Sequence, residues 1–286
     1  MRLPPALALA FLLLAAAPYH PAFGSPPGPG IAIPDSGPGQ PYPSEIDVSG
    51  LPSRLGDVNV TLEGLSHTSP EDLDAVLVSP GGQSTVLISD VGLGFAVNDV
   101  HLTLDEEATE SLPDAAPITS GTFRPTDSDS IGWDSDEMPP PAPTPPVASL
   151  TVFVGTNPNG AWRLFVNDDS ANNEGTIERW SLDILTVGSS NAKAREGGTA
   201  TFRLTRSGRL DQPLSVTYRT VNGTAKGGKD FKKVSGTATF APGETVKKVK
   251  VRTRGDRVAE RTERFFLRVT AGGVTATGKG TIRDDD

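Results

Sequence analysis

Cysteine is missing from all 286 residues, which excludes disulfide bonds, thiolate metal sites and a cysteine nucleophile. Histidine occurs three times, at His20, His67 and His101, and with His20 in the stretch expected to be removed on export, little is left for an imidazole-built zinc centre. Aromatic residues make up 6% of the chain, so few rings are present on which nucleobases could stack. The longest apolar run, Ala6 to Ala17, is about a dozen residues and too short to span a bilayer. No stretch repeats apolar residues at helical spacing, so amphipathic helices are not expected.

What is present begins with an export pattern. Arg2 precedes the apolar run, and Ala22-Phe23-Gly24 places small residues before Ser25. Residues 1–24 therefore read as a signal peptide, and the expected location is secreted, extracellular or at the cell surface. A secreted chain without cysteine needs a large core, bound ions or both for stability. Charge divides the rest. The chain carries −9 overall, yet residues 191–286 hold 21 of its 26 Lys and Arg and only 10 of its 35 acids. A change of sign at one point marks two modules.

Both modules read as strands. In the first, Leu55–Leu62, Asp99–Leu104, Ser149–Val154, Ala161–Val166 and Ile177–Val187 alternate apolar and polar residues. The turn clusters Ser79-Pro-Gly-Gly82, Asn157-Pro-Asn-Gly160 and Asn172-Asn-Glu-Gly175 interrupt them. Pro139 to Pro146, with six prolines, reads as a polyproline-like loop. In the second, the strands are Thr199–Thr205, Leu214–Val221, Gly236–Phe240, Val246–Thr253, Arg264–Thr270 and Val274–Ile282. The expected fold is all-β, two sandwiches in tandem. A Pro/Gly-rich lead-in and first domain span 25–187, a linker 188–191, and a second domain 192–286.

The first module resembles the P domain (P/Homo B domain) that follows the catalytic domain of subtilisin-like proprotein convertases. The residues that carry this include Ile33-Pro-Asp-Ser36, Gly64-Leu-Ser-His-Thr68, Leu77-Val-Ser-Pro-Gly81, Gly155-Thr-Asn-Pro-Asn-Gly160 and Gly175-Thr-Ile-Glu-Arg-Trp-Ser-Leu182. The resemblance implies a jelly-roll-like sandwich with an accessory role toward a protease. No catalytic triad can be named. Ser66 and His67 are adjacent, so on a strand they point to opposite faces, and no Gly-x-Ser-x-Gly elbow exists. His67 is expected to be a loop residue bonded to Asp72 or Asp74. Asp72, Asp74, Asp168 and Asp169 are turn carboxylates or a second, weaker calcium site. Asp127 to Glu137 has EF-hand-like spacing, but Ile131 and Met138 occupy positions that need oxygen, so it reads as a solvated acidic loop.

The second module resembles a Calx-beta domain. The motif runs through Arg195-Glu-Gly-Gly198, Thr220-Val-Asn-Gly-Thr-Ala-Lys-Gly-Gly-Lys-Asp-Phe231, Phe240-Ala-Pro-Gly-Glu244, Asp256 to Glu263 and Asp284-Asp-Asp286. The resemblance implies an immunoglobulin-like sandwich with calcium at one end. Eight of the module's ten acids sit at motif positions: Glu196, Asp230, Asp256, Glu260, Glu263, Asp284, Asp285 and Asp286. Gathered carboxylates repel unless a cation or base neutralises them, and hard oxygen donors favour calcium. Two features depart from the family. Gly255 stands where an acid is common, and bases flank nearly every candidate, Lys229 and Arg257 among them. A salt-bridged sandwich end therefore competes with metal binding. The expected function is a secreted, non-catalytic, Ca2+-binding adhesion or interaction protein. Its partner is a protein or cell-surface polymer, or a secreted protease, with no nucleic acid and no transmembrane segment. The alternative is an accessory or targeting segment of a secreted subtilisin-like serine endopeptidase.

Overall fold

The computed structural model describes residues 27–128, 138–144, 147–271 and 274–286. The expected signal peptide, most of the Asp127–Glu137 acidic loop and part of the Pro139–Pro146 stretch lie outside these residues. Among the described residues the regular structure is strand, with two short 3-10 helices at Pro70–Asp72 and Leu150–Phe153.

The first module contains β1 (Ile31–Ile33), β2 (Gly37–Pro38), β3 (Ser44–Val48), β4 (Leu55–His67), β5 (Leu73–Val78) and β6 (Ser84–Ser89). It continues with β7 (Val97–Leu104), β8 (Gly121–Phe123), β9 (Thr126–Asp127), β10 (Gly160–Asp168), β11 (Gly175–Ile177) and β12 (Arg179–Ser189). One sheet is centred on β4, flanked by β7, β11 and β12; the other runs β2-β10-β5-β6-β9, with β3 also on β10. The two pack over a core that includes Leu62, Leu77, Phe153, Trp162 and Trp180. Alternation builds it: in β3 Ser44, Ile46 and Val48 are buried while Glu45 and Asp47 face solvent. Gly64 interrupts β4 with a left-handed φ of +65°, and a Cβ there would strike the Glu178 side chain. The β4–β7 register shifts between Leu62 and Leu65, so this is a bulge that only glycine accommodates readily.

The second module contains β13 (Ala192–Arg195), β14 (Thr199–Ser207), β15 (Leu214–Asn222), β16 (Ser235–Phe240), β17 (Val246–Arg252), β18 (Glu263–Ala271) and β19 (Val274–Arg283). One sheet runs β13-β19-β18-β15-β16; β14 and β17 pair on the other side of the core. Phe265 sits at the centre, stacked on Phe231 at 4.4 Å and edge-on to Phe202 at 5.7 Å. Its ring lies against Gly280 on β19, where a Cβ would come within 2.4 Å of it.

The junction is a strand. β12 pairs with β4 through Thr186, with a register shift after Leu185, and with β14 from Thr186 to Ser189. Leu182 and Ile184 belong to the first core and Val187 to the second. Gly188 and Ser189, expected in a linker, are therefore ladder residues opposite Thr205 and Leu204. Arg209, from the β14–β15 connection, reaches back to the first module. Its guanidinium bonds Asp57 and lies 3.5 Å from Asp183. Burial pushes both carboxyls upward, and the Arg209 charge opposes that rise.

One expected strand is replaced. Ser149–Val154 is a 3-10 turn whose Ser149 side chain accepts a hydrogen bond from the Thr151 amide. Leu150 and Phe153, three apart, both enter the core, which a strand could not arrange. Pro139–Pro146 likewise contains a turn, closed by the Ala142 amide on the Pro139 carbonyl.

Candidate metal centre

The acidic residues of the second module meet at one end of its sandwich. β13 and β19 pair in parallel, so the Glu196 that follows one lies beside the Asp284–Asp286 run that follows the other. The Glu196 amide donates to the Arg283 carbonyl at 3.0 Å. Asp256 stands in the β17–β18 connection, where its carboxylate accepts from the Val258 amide at 2.8 Å and shapes the turn. Asp230 is 8% exposed and is fixed by the Lys226 amide at 2.6 Å. Glu263 opens β18 on its inward side.

Two groups result. Carboxylate oxygens of Glu196, Asp256 and Asp286 lie within 4.8 Å of one another, as do those of Asp230, Glu260 and Glu263. Asp284 connects them by accepting from the Glu260 amide at 3.0 Å, so it positions that loop. Asp285 is exposed and belongs to neither group.

The electrostatics are those of a site short of positive charge. Burial raises the Glu196 carboxyl above its usual range, and Asp284, Asp256 and Glu260 push the same way. Burial and then Asp230 raise Glu263, one of whose oxygens is sealed from solvent without a donor beside it. Burial and the two preceding aspartates raise Asp286. One base enters: the Lys229 ammonium lies 2.8 Å from Glu260 and 3.5 Å from Asp230. Its bond to Glu260 holds its own pKa well above the usual lysine range. Among the described residues, Arg195, Arg257, Arg261, Arg264 and Arg283 form no ion pair with the cluster. The competing salt-bridged arrangement is thus realised at one residue. A donor set of converging hard oxygens, mostly uncompensated, fits a divalent cation of calcium's type.

The second expected site does not gather all four of its acids. Asp74 and Asp168 lie on opposite faces of their sheet, because Asp74 pairs across from Asn167 and Asp168 from Leu73. Asp74 accepts from Ser89 at 2.7 Å, Asp72 from Asn173 at 2.6 Å, and the Asp169 amide donates to the Asp72 carbonyl. His67 is a buried strand end, not a loop residue, and its partner is neither Asp72 nor Asp74. Its Nε2 lies 3.0 Å from Asp168 and its Nδ1 2.8 Å from the Ser69 carbonyl, with both acid and imidazole fully buried. Both ring nitrogens are thereby engaged within the fold, and no hydroxyl pairs with either among the described residues. The partner is 101 residues away in the chain, so nothing local in the sequence marks it.

Comparison with known proteins finds two families along the chain. The family model described as Calx-beta domain matches residues 183–285, and that of the proprotein convertase P-domain matches 134–184. Sodium/calcium exchanger 1 of Felis catus is 36% identical over 74 residues, and sodium/calcium exchanger 2 of Homo sapiens is 38% identical over 64. These cover 26% and 22% of the chain but only 8% and 7% of the exchangers' own length. The apo-form Calx CBD1 domain is 28% identical over 35% of the chain and 98% of that domain, with a TM-score of 0.33.

Proposed function

From a chain that carries a Calx-beta domain behind a P-domain segment, we propose a calcium-binding interaction protein that acts outside the cell and has no catalytic site of its own. The observation that carries the metal reading is the convergence of six carboxylates in two groups at one sandwich end. Glu196, Asp256 and Asp286 would hold the ion, which would supply the charge that those carboxylates lack. Asp230 and Glu260 already share the Lys229 ammonium, so their group with Glu263 would take a second ion less readily. Calcium would then set the stability and stiffness of the module. The export pattern of residues 1–24 supports an exterior location. Among the described residues, no helix is long and apolar enough to cross a membrane.

Calorimetric titration of the chelator-stripped chain tests this reading. Calcium at a hundred times its Kd should stabilise the fold by about 2.7 kcal/mol, seen as a raised melting temperature. Glu196→Gln should remove most of that gain. Lys229→Met should tighten or add binding at the Asp230 group. If millimolar calcium changes neither heat nor melting temperature, the metal reading fails.

The P-domain match favours a second reading, an accessory segment that works with a secreted subtilisin-like endopeptidase. Co-expression with such an enzyme, followed by its maturation yield, separates the two. A yield that depends on this chain supports the accessory role.

A further inference from the structure

The outward face of the β13-β19-β18-β15-β16 sheet carries bases and hydroxyls but no acid. The registers lay it out in rows across the strands. Thr275, Thr270, Thr217 and Thr237 form one row, with the Thr270 and Thr275 hydroxyls 3.1 Å apart. The next row is Thr277, Arg268, Arg219 and Ser235, all exposed. Lys279, Phe266 and Val221 follow, then Lys193, Thr281 and Arg264. Phe266 and Val221 are half-buried and form the one apolar spot. Arg219, Arg264, Arg268, Lys193 and Lys279 form no ion pair among the described residues. Rows stand about 6.7 Å apart and strands about 4.8 Å apart, so the positive charges are spread over a flat, extended area.

We propose that this face binds an acidic polysaccharide, through guanidinium and ammonium contacts to its carboxylate or sulfate groups and threonine contacts to its hydroxyls. Charge complementarity calls for a polyanion, and Arg forks suit planar carboxylates and sulfates. The hydroxyl rows favour a sugar polymer. A single-stranded nucleic acid would need aromatic platforms, and only the half-buried Phe266 is present. A protein partner would need an apolar centre larger than Phe266 and Val221 provide. This inference does not depend on the metal reading, because the face lies on the sheet and the carboxylates lie at its end.

The test uses the full chain in chelator at low salt, so that bridging by divalent ions plays no part. Binding is measured by calorimetry to polygalacturonate and to heparin fragments, with neutral dextran and a single-stranded oligonucleotide as comparisons. The two anionic polymers distinguish carboxylate from sulfate recognition. Binding to at least one is expected, with no uptake of dextran and weaker binding of the oligonucleotide. The double change Arg219→Ser with Arg268→Ser should weaken binding about tenfold, a loss of about 1.4 kcal/mol. Lys248→Ser with Lys250→Ser removes equal charge from the opposite sheet, where both residues are exposed, and should change binding less than about threefold. Equal losses from the two pairs, equal or tighter binding of the oligonucleotide, or no binding of either polymer would overturn the proposal. Should the Arg219/Arg268 variant not fold, acetylation of the native chain replaces it. Bound polymer should protect Lys193 and Lys279, and full reactivity of both would count against the site.

Discussion

Arg209→Met removes the one base held between Asp57 and Asp183 at the module junction. The Asp57 and Asp183 side chains are 12% and 32% exposed and Arg209 is 27% exposed. Removing one partner of a fully buried pair costs about 3–5 kcal/mol, and partial exposure here reduces that to about 2–3 kcal/mol at pH 7.5. The sign of the pH dependence follows from the carboxyls left behind. Both already sit above their ordinary range because of burial, and without Arg209 they rise further. A carboxyl raised in the folded state takes up protons more readily there than when unfolded. The penalty is therefore full at high pH and shrinks as pH falls through the raised values. The loss at pH 4.5 should be well under half that at pH 7.5. Urea denaturation followed by tryptophan fluorescence is a suitable assay, because Trp162 and Trp180 report the first core. Equal losses at the two pH values, or a loss below about 0.5 kcal/mol at pH 7.5, would refute the reasoning.

Two further outcomes are expected. In chelator, burial and Asp230 raise the Glu263 carboxyl, so its contribution to stability should fall as pH rises above about 4.5. Glu263→Gln should flatten that part of the melting curve against pH, whereas an unchanged slope would remove Glu263 from the cluster's electrostatics. Gly280→Ala places a methyl group against the Phe265 ring and should cost about 1–3 kcal/mol, read by circular dichroism of the thermal transition.

Much of the fold is legible in the sequence where one face of a strand meets water. The alternating runs at Asp99–Leu104, Ala161–Val166 and Val246–Thr253 fall on β7, β10 and β17. β5 is harder to read, because all six of its residues are buried. Its outer face is covered by a second cluster that joins Val76 and Val78 to Phe165, Met138 and Tyr42, which erases the alternation. Leu150, Val152 and Val154 alternate as a strand would over so short a stretch, whereas the 3-10 turn, capped by the Ser149 side chain, buries Leu150 and Phe153 instead. The acids of the second module are legible because strand ends and turns place them locally. Their division into two groups is not, since it depends on the parallel pairing of β13 with β19, nearly the length of the module apart. The roles of Lys229 inside one group and of Asp168 as the partner of His67 depend on the same long-range geometry.

The strand shared by both cores bears on how the chain can be divided. β12 covers the edge of β14, hydrogen-bonding it from Thr186 to Ser189. A fragment beginning at residue 190 would keep the aromatic core and the carboxylates but strip that edge. β14 would then present unpaired amides and carbonyls along an alternating apolar strand, a template for pairing with another copy. Such a fragment is expected to self-associate, whereas one beginning before residue 179 retains its own cover. The boundary between the modules is therefore a place where the polypeptide cannot be cut cleanly, although its charge changes sign there.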